Sequence, residues 1–166
     1  DLLPLQLPEL AGRPDVIVLS LGGNDAAGHL DILAPRPTTS TELLTLLQNI
    51  ADDFEEGYSA VLQMLRPLTD RLIVCTIYEP PLENPEQARL ALVPLAIFND
   101  RIIRIGARLG ADVLDLRSVC TEASDFVLEI EPSANGARKI AGAIGAVIQE
   151  PETGPGSRVY QLPAPR

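Results

Sequence analysis

The chain has 166 residues, a length that suits one domain with a substantial core rather than two domains. Hydrophobic residues make up 46% and charged residues 22%, the composition of a soluble globular protein. A net charge of −10 repels phosphate backbones and anionic membrane surfaces, so nucleic acid is excluded as a partner, and no segment approaches the roughly 20 apolar residues of a membrane span.

The first element is "PDVIVLSL" (14–21), a continuous apolar, β-branched run that predicts a strand buried on both faces of a parallel sheet. It stops at "GGND". Gly22 and Gly23 permit a tight turn and close backbone approach, Asn24 can aim its amide into the crevice beyond the strand, and Asp25 can bond local backbone amides. Taken alone, the four residues also suit a plain turn. Ser20, inside the run, is expected to pack rather than react.

A helix is predicted from "TTSTE", with Thr39 as N-cap and Glu42 completing a capping box. Leu43, Leu47, Ile50, Phe54, Tyr58, Val61 and Leu65 recur at helical spacing, while Asp52, Asp53, Glu55 and Glu56 form a solvated face. "DRLIVCTIY" (70–78) predicts the second strand, with Tyr78 and Glu79 at its crevice end. Asn84 and Pro85 open a second helix that runs to about Leu109 and stops at Gly110, with Pro94 expected to kink or divide it. Asn99 and Asp100 are expected to bond local backbone or a neighbouring loop. "ADVLDLR" (111–117) predicts a third strand, with the role of Asp115 open, and Ser133 caps a third helix carrying Ile140, Ile144, Val147 and Ile148 inward. From residue 151 to 166 the chain loses periodicity and gains Pro and Gly, which predicts a disordered or loosely docked tail after a domain of residues 1–150.

Strand and helix alternate three times, which implies an α/β fold with helices on both faces of a parallel sheet. Cys75 and Cys120 are not spaced as a zinc pair; a buried free thiol is the default at Cys75, and a disulfide between the two has little support. A single histidine, His29, argues against a histidine-rich metal centre, and no GxGxxG, Walker loop or GxSxG elbow occurs.

"VLSLGGND", "LAIFNDRI" and "EIEPSANGARKIAGAI" (129–144) together resemble the SGNH, or GDSL-type, esterase and acylhydrolase family over about residues 14–149. The resemblance implies a three-layer α/β/α, flavodoxin-like architecture, a serine nucleophile, small-molecule ester substrates and no metal or organic cofactor. It implies an oxyanion role for Asn24, with Gly23 beside it. Pro132, Ser133, Gly136 and Ile140 fit the frame of the family's last block, but Glu131 stands at the position of its histidine and Leu128 at that of its aspartate. The first block, Gly-Asp-Ser, and the second, an oxyanion glycine, do not occur in these residues. Both are expected upstream of residue 1, with the first strands of the sheet, so that the chain alone is expected to be inactive and to be marginally stable or self-associate along its bare edge.

Glu131 departs from the family in chemistry as well as identity. A free carboxylate is a base roughly two pKa units weaker than imidazole, or about 3 kcal/mol. Three readings follow: Glu131 acts as an unusual base, His29 swings in from the loop after Asn24, or the site has lost hydrolysis and kept binding. Asp25 and Tyr78 are the candidate substrate contacts. The full-length parent is thus expected to be a serine ester hydrolase, with a non-catalytic ligand- or partner-binding module as the alternative. The compartment is left open, with the cytoplasm as the expectation.

Overall fold

All five residues of the run Arg71–Cys75 are buried, as a strand covered on both faces requires, and the fold is assembled around it. The computed structural model describes residues 12–28, 39–128, 130–151 and 156–161. Strand β1 (Val16–Leu19) leads into a short helix α1 (Gly23–Gly28), the long helix α2 (Ser40–Leu65) and strand β2 (Arg71–Cys75). Helix α3 (Pro85–Arg108) and strand β3 (Asp112–Leu114) follow. A two-stranded ribbon, β4 (Phe126–Val127) with β5 (Glu131–Pro132), precedes helix α4 (Ala134–Gln149) and strand β6 (Val159–Tyr160).

The main sheet runs in the order β1-β2-β3-β6, and its pairs are parallel. Val18 lies opposite Ile73, and Val74 opposite Val113. Alternation along β2 divides the core. Leu72 and Val74 face α2 and α3, packing with Leu62, Phe98, Ile102 and Ile105. Ile73 and Cys75 face α4, packing with Leu114, Ala143 and Val147. The result is a three-layer α/β/α arrangement, as the alternating pattern predicts. Among the described residues, no strand pairs with the outer edge of β1.

The helix starts follow the local signals in the sequence. The Thr39 hydroxyl accepts from Glu42 N at 3.2 Å while the Glu42 carboxylate accepts from Thr39 N at 3.0 Å, closing the capping box. Asn84 Oδ1 accepts from Glu86 N and Gln87 N, and Ser133 Oγ from Asn135 N and Gly136 N. Helices α2 and α3 run parallel and in step. Phe54 meets Phe98 edge-on at 4.7 Å, Arg101 reaches Asp52 and Glu55, and Arg108 reaches Glu55 and Ser59. Glu55 therefore belongs to an inter-helix ion pair as well as to the acidic face.

One expectation is narrowed and three are corrected. Pro94 does not divide its helix: α3 is continuous from Pro85 to Arg108. Ile148 is 42% exposed rather than buried, because α4 ends one residue later and its inward stripe closes at Val147. Ser20 is exposed, since β1 ends at Leu19. Residues 156–161 are docked rather than loose. Val113 N donates to Arg158 O at 2.7 Å and Asp115 N to Tyr160 O at 2.9 Å, so β6 extends the sheet beyond β3.

At the amino end of the sheet, the buried Arg71 guanidinium bonds the Asp112 carboxylate at 3.0 Å and the carbonyls of Val147, Ile148 and Glu150 at the end of α4. A buried charge is tolerated only when paired and hydrogen-bonded in this way. Cys75 and Cys120 are buried free thiols, and burial pushes the Cys75 thiol up to about 12, which leaves it unreactive. Among the described residues, no helix is long and apolar enough to cross a membrane.

Candidate active site at the carboxyl ends of the strands

The chain leaves β1 through Gly22, which adopts φ +107°. A Cβ there would also meet the Phe54 ring at 3.2 Å and Ile77 at 3.3 Å, so the position demands glycine on two counts. The next residues do not make a simple turn: Gly22 O accepts from Ala26 N at 2.9 Å, and Gly23–Gly28 wind into α1. Asn24 thus stands at the start of a short helix, directly beyond the carboxyl end of β1.

The end of β2 is fixed differently. Thr76 N still donates to Leu114 O, continuing the ladder. Ile77 turns away from the sheet, and both of its backbone groups are met by the buried Asn99 amide from α3. Tyr78 follows. Its hydroxyl donates to Ile130 O at 3.0 Å, and its ring meets Phe126 edge-on at 5.3 Å. These two contacts tie the end of β2 to the β4–β5 ribbon, in which Val127 pairs with Glu131. Burial, then the Glu131 carboxylate and then Cys120, raises the Tyr78 pKa, so its hydroxyl remains a donor.

The foot of the same ribbon is built on Asp125. This fully buried carboxylate accepts from Thr121 N, Glu122 N, Asn135 Nδ2 and Lys139 Nζ. Burial alone would raise its pKa; the Lys139 hydrogen bond and the backbone donors outweigh that and lower it. Asp125 O lies so close to Gly136 that a Cβ there would approach it to 2.1 Å. The Pro132–Ser133–Gly136 frame is thus the junction between ribbon and α4.

A cavity of about 240 Å³ opens where these elements converge. Gly23, Asn24, Tyr78 and Glu131, four of the residues singled out in the sequence, line it together. Asp25 lies on α1 outside that lining, and His29 lies outside the described residues. Leu128, at the position where the resemblance puts an aspartate, is 85% exposed with φ +48°, at the turn of the ribbon. The opposite wall is apolar and comes from α2 and α3. Among the described residues, no group of three or more His, Cys, Asp and Glu is arranged to hold a metal ion.

Two further polar residues gain definite partners: Asn99 bonds a neighbouring loop, as expected, at Ile77, and Asp115, whose role the sequence left open, sits at the end of β3. Asn99 is a polar residue on the inward stripe of α3, beside Phe98 and Ile102, and that misfit was its signal. Asp115 closes the end of β3, accepting from Thr76 Oγ1, Arg117 and Gln161. Burial raises its pKa, and the hydrogen bonds from Arg117, Gln161 and Thr76 outweigh it to hold the carboxyl at about 2.

A three-layer α/β fold with glycine, asparagine and a carboxylate gathered beyond its parallel strands has its polar groups where open α/β sheets bind ligands. The sequence profile of the GDSL-like lipase/acylhydrolase family matches residues 1–139, and the chain belongs to that family. Solved structures share the fold, among them the following three. One is LAE5, an alpha/beta hydrolase enzyme from the metagenome of Lake Arreo, Spain, with TM-score 0.60 and 20% identity over 88% of this chain and 65% of that one. Another is an extracellular lipase from Streptomyces rimosus, with TM-score 0.63 and 16% identity over 88% and 74%. The third is an acetylxylan esterase from Geobacillus stearothermophilus, with TM-score 0.58 and 16% identity over 90% and 67%. The chain spans 65% of the length of LAE5. No curated protein sequence matches it.

Proposed function

We propose that the full-length natural protein hydrolyses carboxylic esters, acyl or acetyl, through the serine of the family's first block, which precedes these residues. The observation that carries the reading is the single cavity that Gly23, Asn24, Tyr78 and Glu131 share. The serine hydroxyl attacks the ester carbonyl and gives its proton to the Glu131 carboxylate. The Asn24 amide and the Gly23 N–H hold the negative charge that develops on the carbonyl oxygen. Collapse expels the alcohol, which takes the proton back from Glu131, and water then releases the acid from the acyl-serine by the same steps in reverse order. A base weaker than imidazole slows the removal of the proton from serine or water but does not abolish catalysis, because oxyanion stabilisation and binding alone retain a large rate advantage over water.

A second reading has its own observation: exposed Leu128 offers no acid to orient a base. A non-catalytic binding module would keep the cavity and lose the chemistry. Labelling the full-length natural protein with a serine-directed fluorophosphonate separates the two. One labelled serine upstream of residue 1, blocked by prior incubation with a short ester, supports hydrolysis. No labelled serine and no ester turnover would overturn it in favour of the binding module.

A further inference from the structure

We infer that the cavity takes the hydrocarbon chain of its ligand along α3, and that Ala88 and Ala91 set the length of chain it admits. The inference rests on the ester reading only for the carbonyl end of the ligand. Of the nineteen residues lining the cavity, three carry polar side chains: Asn24, Tyr78 and Glu131. The Tyr78 hydroxyl is already engaged with Ile130 O, which leaves the Asn24 amide and the Glu131 carboxylate to meet a polar group.

The α3 wall has a regular form. Ala88, Ala91, Leu92, Leu95 and Phe98 all line the cavity, and their spacing of three, one, three and three residues makes one stripe along the helix. Ten residues of α-helix rise about 15 Å, so the stripe is long enough to lie beside an extended chain. Its inner end is shut by Phe98, buried and packed edge-on against Phe54. Its outer end has the two smallest side chains of the stripe, and larger groups at Ala88 or Ala91 would occupy the space they leave. Residues 90–97 of α3 carry no charged or hydrogen-bonding side chain, and Pro94 lacks even a backbone N–H. A sugar held against this wall would lose its water without gaining partners, whereas a hydrocarbon loses nothing by leaving water. The ligand class is therefore a neutral carbonyl compound with a straight apolar chain.

The test uses straight-chain methyl ketones, from acetone to 2-decanone, which present a neutral carbonyl and a chain of chosen length but cannot be hydrolysed. Binding to the full-length natural protein is measured by ligand-observed NMR. Affinity is expected to rise about fourfold for each added methylene until the slot is full, and then to level off. Ala91→Phe is expected to level off at a shorter chain and to weaken the longest ketones at least tenfold. Ala88→Leu, a smaller change at the outer end, is expected to act in the same direction. Should Ala91→Phe show no cooperative melt, the series on the unaltered protein and on Ala88→Leu decides. Affinity independent of chain length, or both variants following the unaltered protein, would overturn the inference. A rising series without serine labelling removes the hydrolysis reading and keeps the slot; labelling with a flat series does the reverse.

Discussion

The side-chain amide of Asn99 closes on both backbone groups of Ile77, its Oδ1 accepting from Ile77 N at 2.7 Å and its Nδ2 donating to Ile77 O at 2.9 Å. This pairing replaces the strand ladder at the point where β2 leaves the sheet. It fixes α3, which forms the apolar wall of the cavity, to the residue before Tyr78, which holds the ribbon bearing Glu131. The two sides of the candidate site are joined through one buried amide.

Asn99→Leu keeps the branched skeleton, adds some bulk and removes both partners, leaving a buried N–H and a buried carbonyl unpaired. Each unpaired group costs about 1–3 kcal/mol. Urea unfolding is expected to register a loss of about 2–6 kcal/mol, with the midpoint moving and the slope unchanged. A loss under about 1 kcal/mol would mean that Ile77 finds water in the variant and that the clamp is not a fixed feature.

Asp115 gives the fold an acid sensitivity of known sign. Its carboxyl is held at about 2, below its ordinary value of 3.8, so the stability it contributes is present above that ordinary value and is lost as the pH falls toward 2. The size of the shift corresponds to about 2 kcal/mol. The stability difference between the unaltered protein and Asp115→Asn, measured by denaturant unfolding, is expected to shrink by about that amount between pH 5 and pH 2. A difference that stays constant across this range would show that Arg117, Gln161 and Thr76 do not favour the ionised form.

Gly136 is fixed by contact rather than by backbone angle. Its missing Cβ would approach Asp125 O to 2.1 Å, and that oxygen also accepts from Ser133 N at 2.8 Å. Gly136→Ala must push α4 away from the ribbon, and overpacking of this kind costs about 1–3 kcal/mol. A melt by circular dichroism is expected to fall by several degrees, whereas Gly142→Ala, where a Cβ meets nothing within 4 Å, is expected to hold or rise. Equal melts for the two variants would contradict the close approach.

These elements differ in how well the sequence foretells them, and the difference is one of locality. The capping box of Thr39 and Glu42, the Asn84–Pro85 start and the Ser133 cap depend on residues within one turn, and all three hold in the structure. Strand β6 depends on a partner more than forty residues away. Val159 and Tyr160 have no periodic pattern to announce them, and only the ladder to β3, with Gln161 on Asp115 and Arg158 N on Asp112, makes them a strand. The polar half of the candidate site was legible because Gly-Gly-Asn-Asp and Glu-Pro-Ser form motifs. Its apolar half was not, because alanine and leucine at helical spacing look the same whether they face a core or a cavity.

The roles of Asn24 and Glu131 make separate demands on kinetics in the full-length protein. Asn24 is asked to stabilise charge that exists only in the transition state. Asn24→Ala is therefore expected to lower kcat by about 10²-fold with KM little changed. Glu131 is asked to move a proton, a contribution of about 10²–10⁴-fold, and Glu131→Gln keeps its shape while removing its basicity. That variant is expected to lose at least 10²-fold in kcat and to react correspondingly slowly with a fluorophosphonate. If Asn24→Ala behaves as expected and Glu131→Gln loses less than tenfold, the oxyanion role stands and another group takes the proton. If both variants lose less than tenfold, ester chemistry at this cavity is excluded.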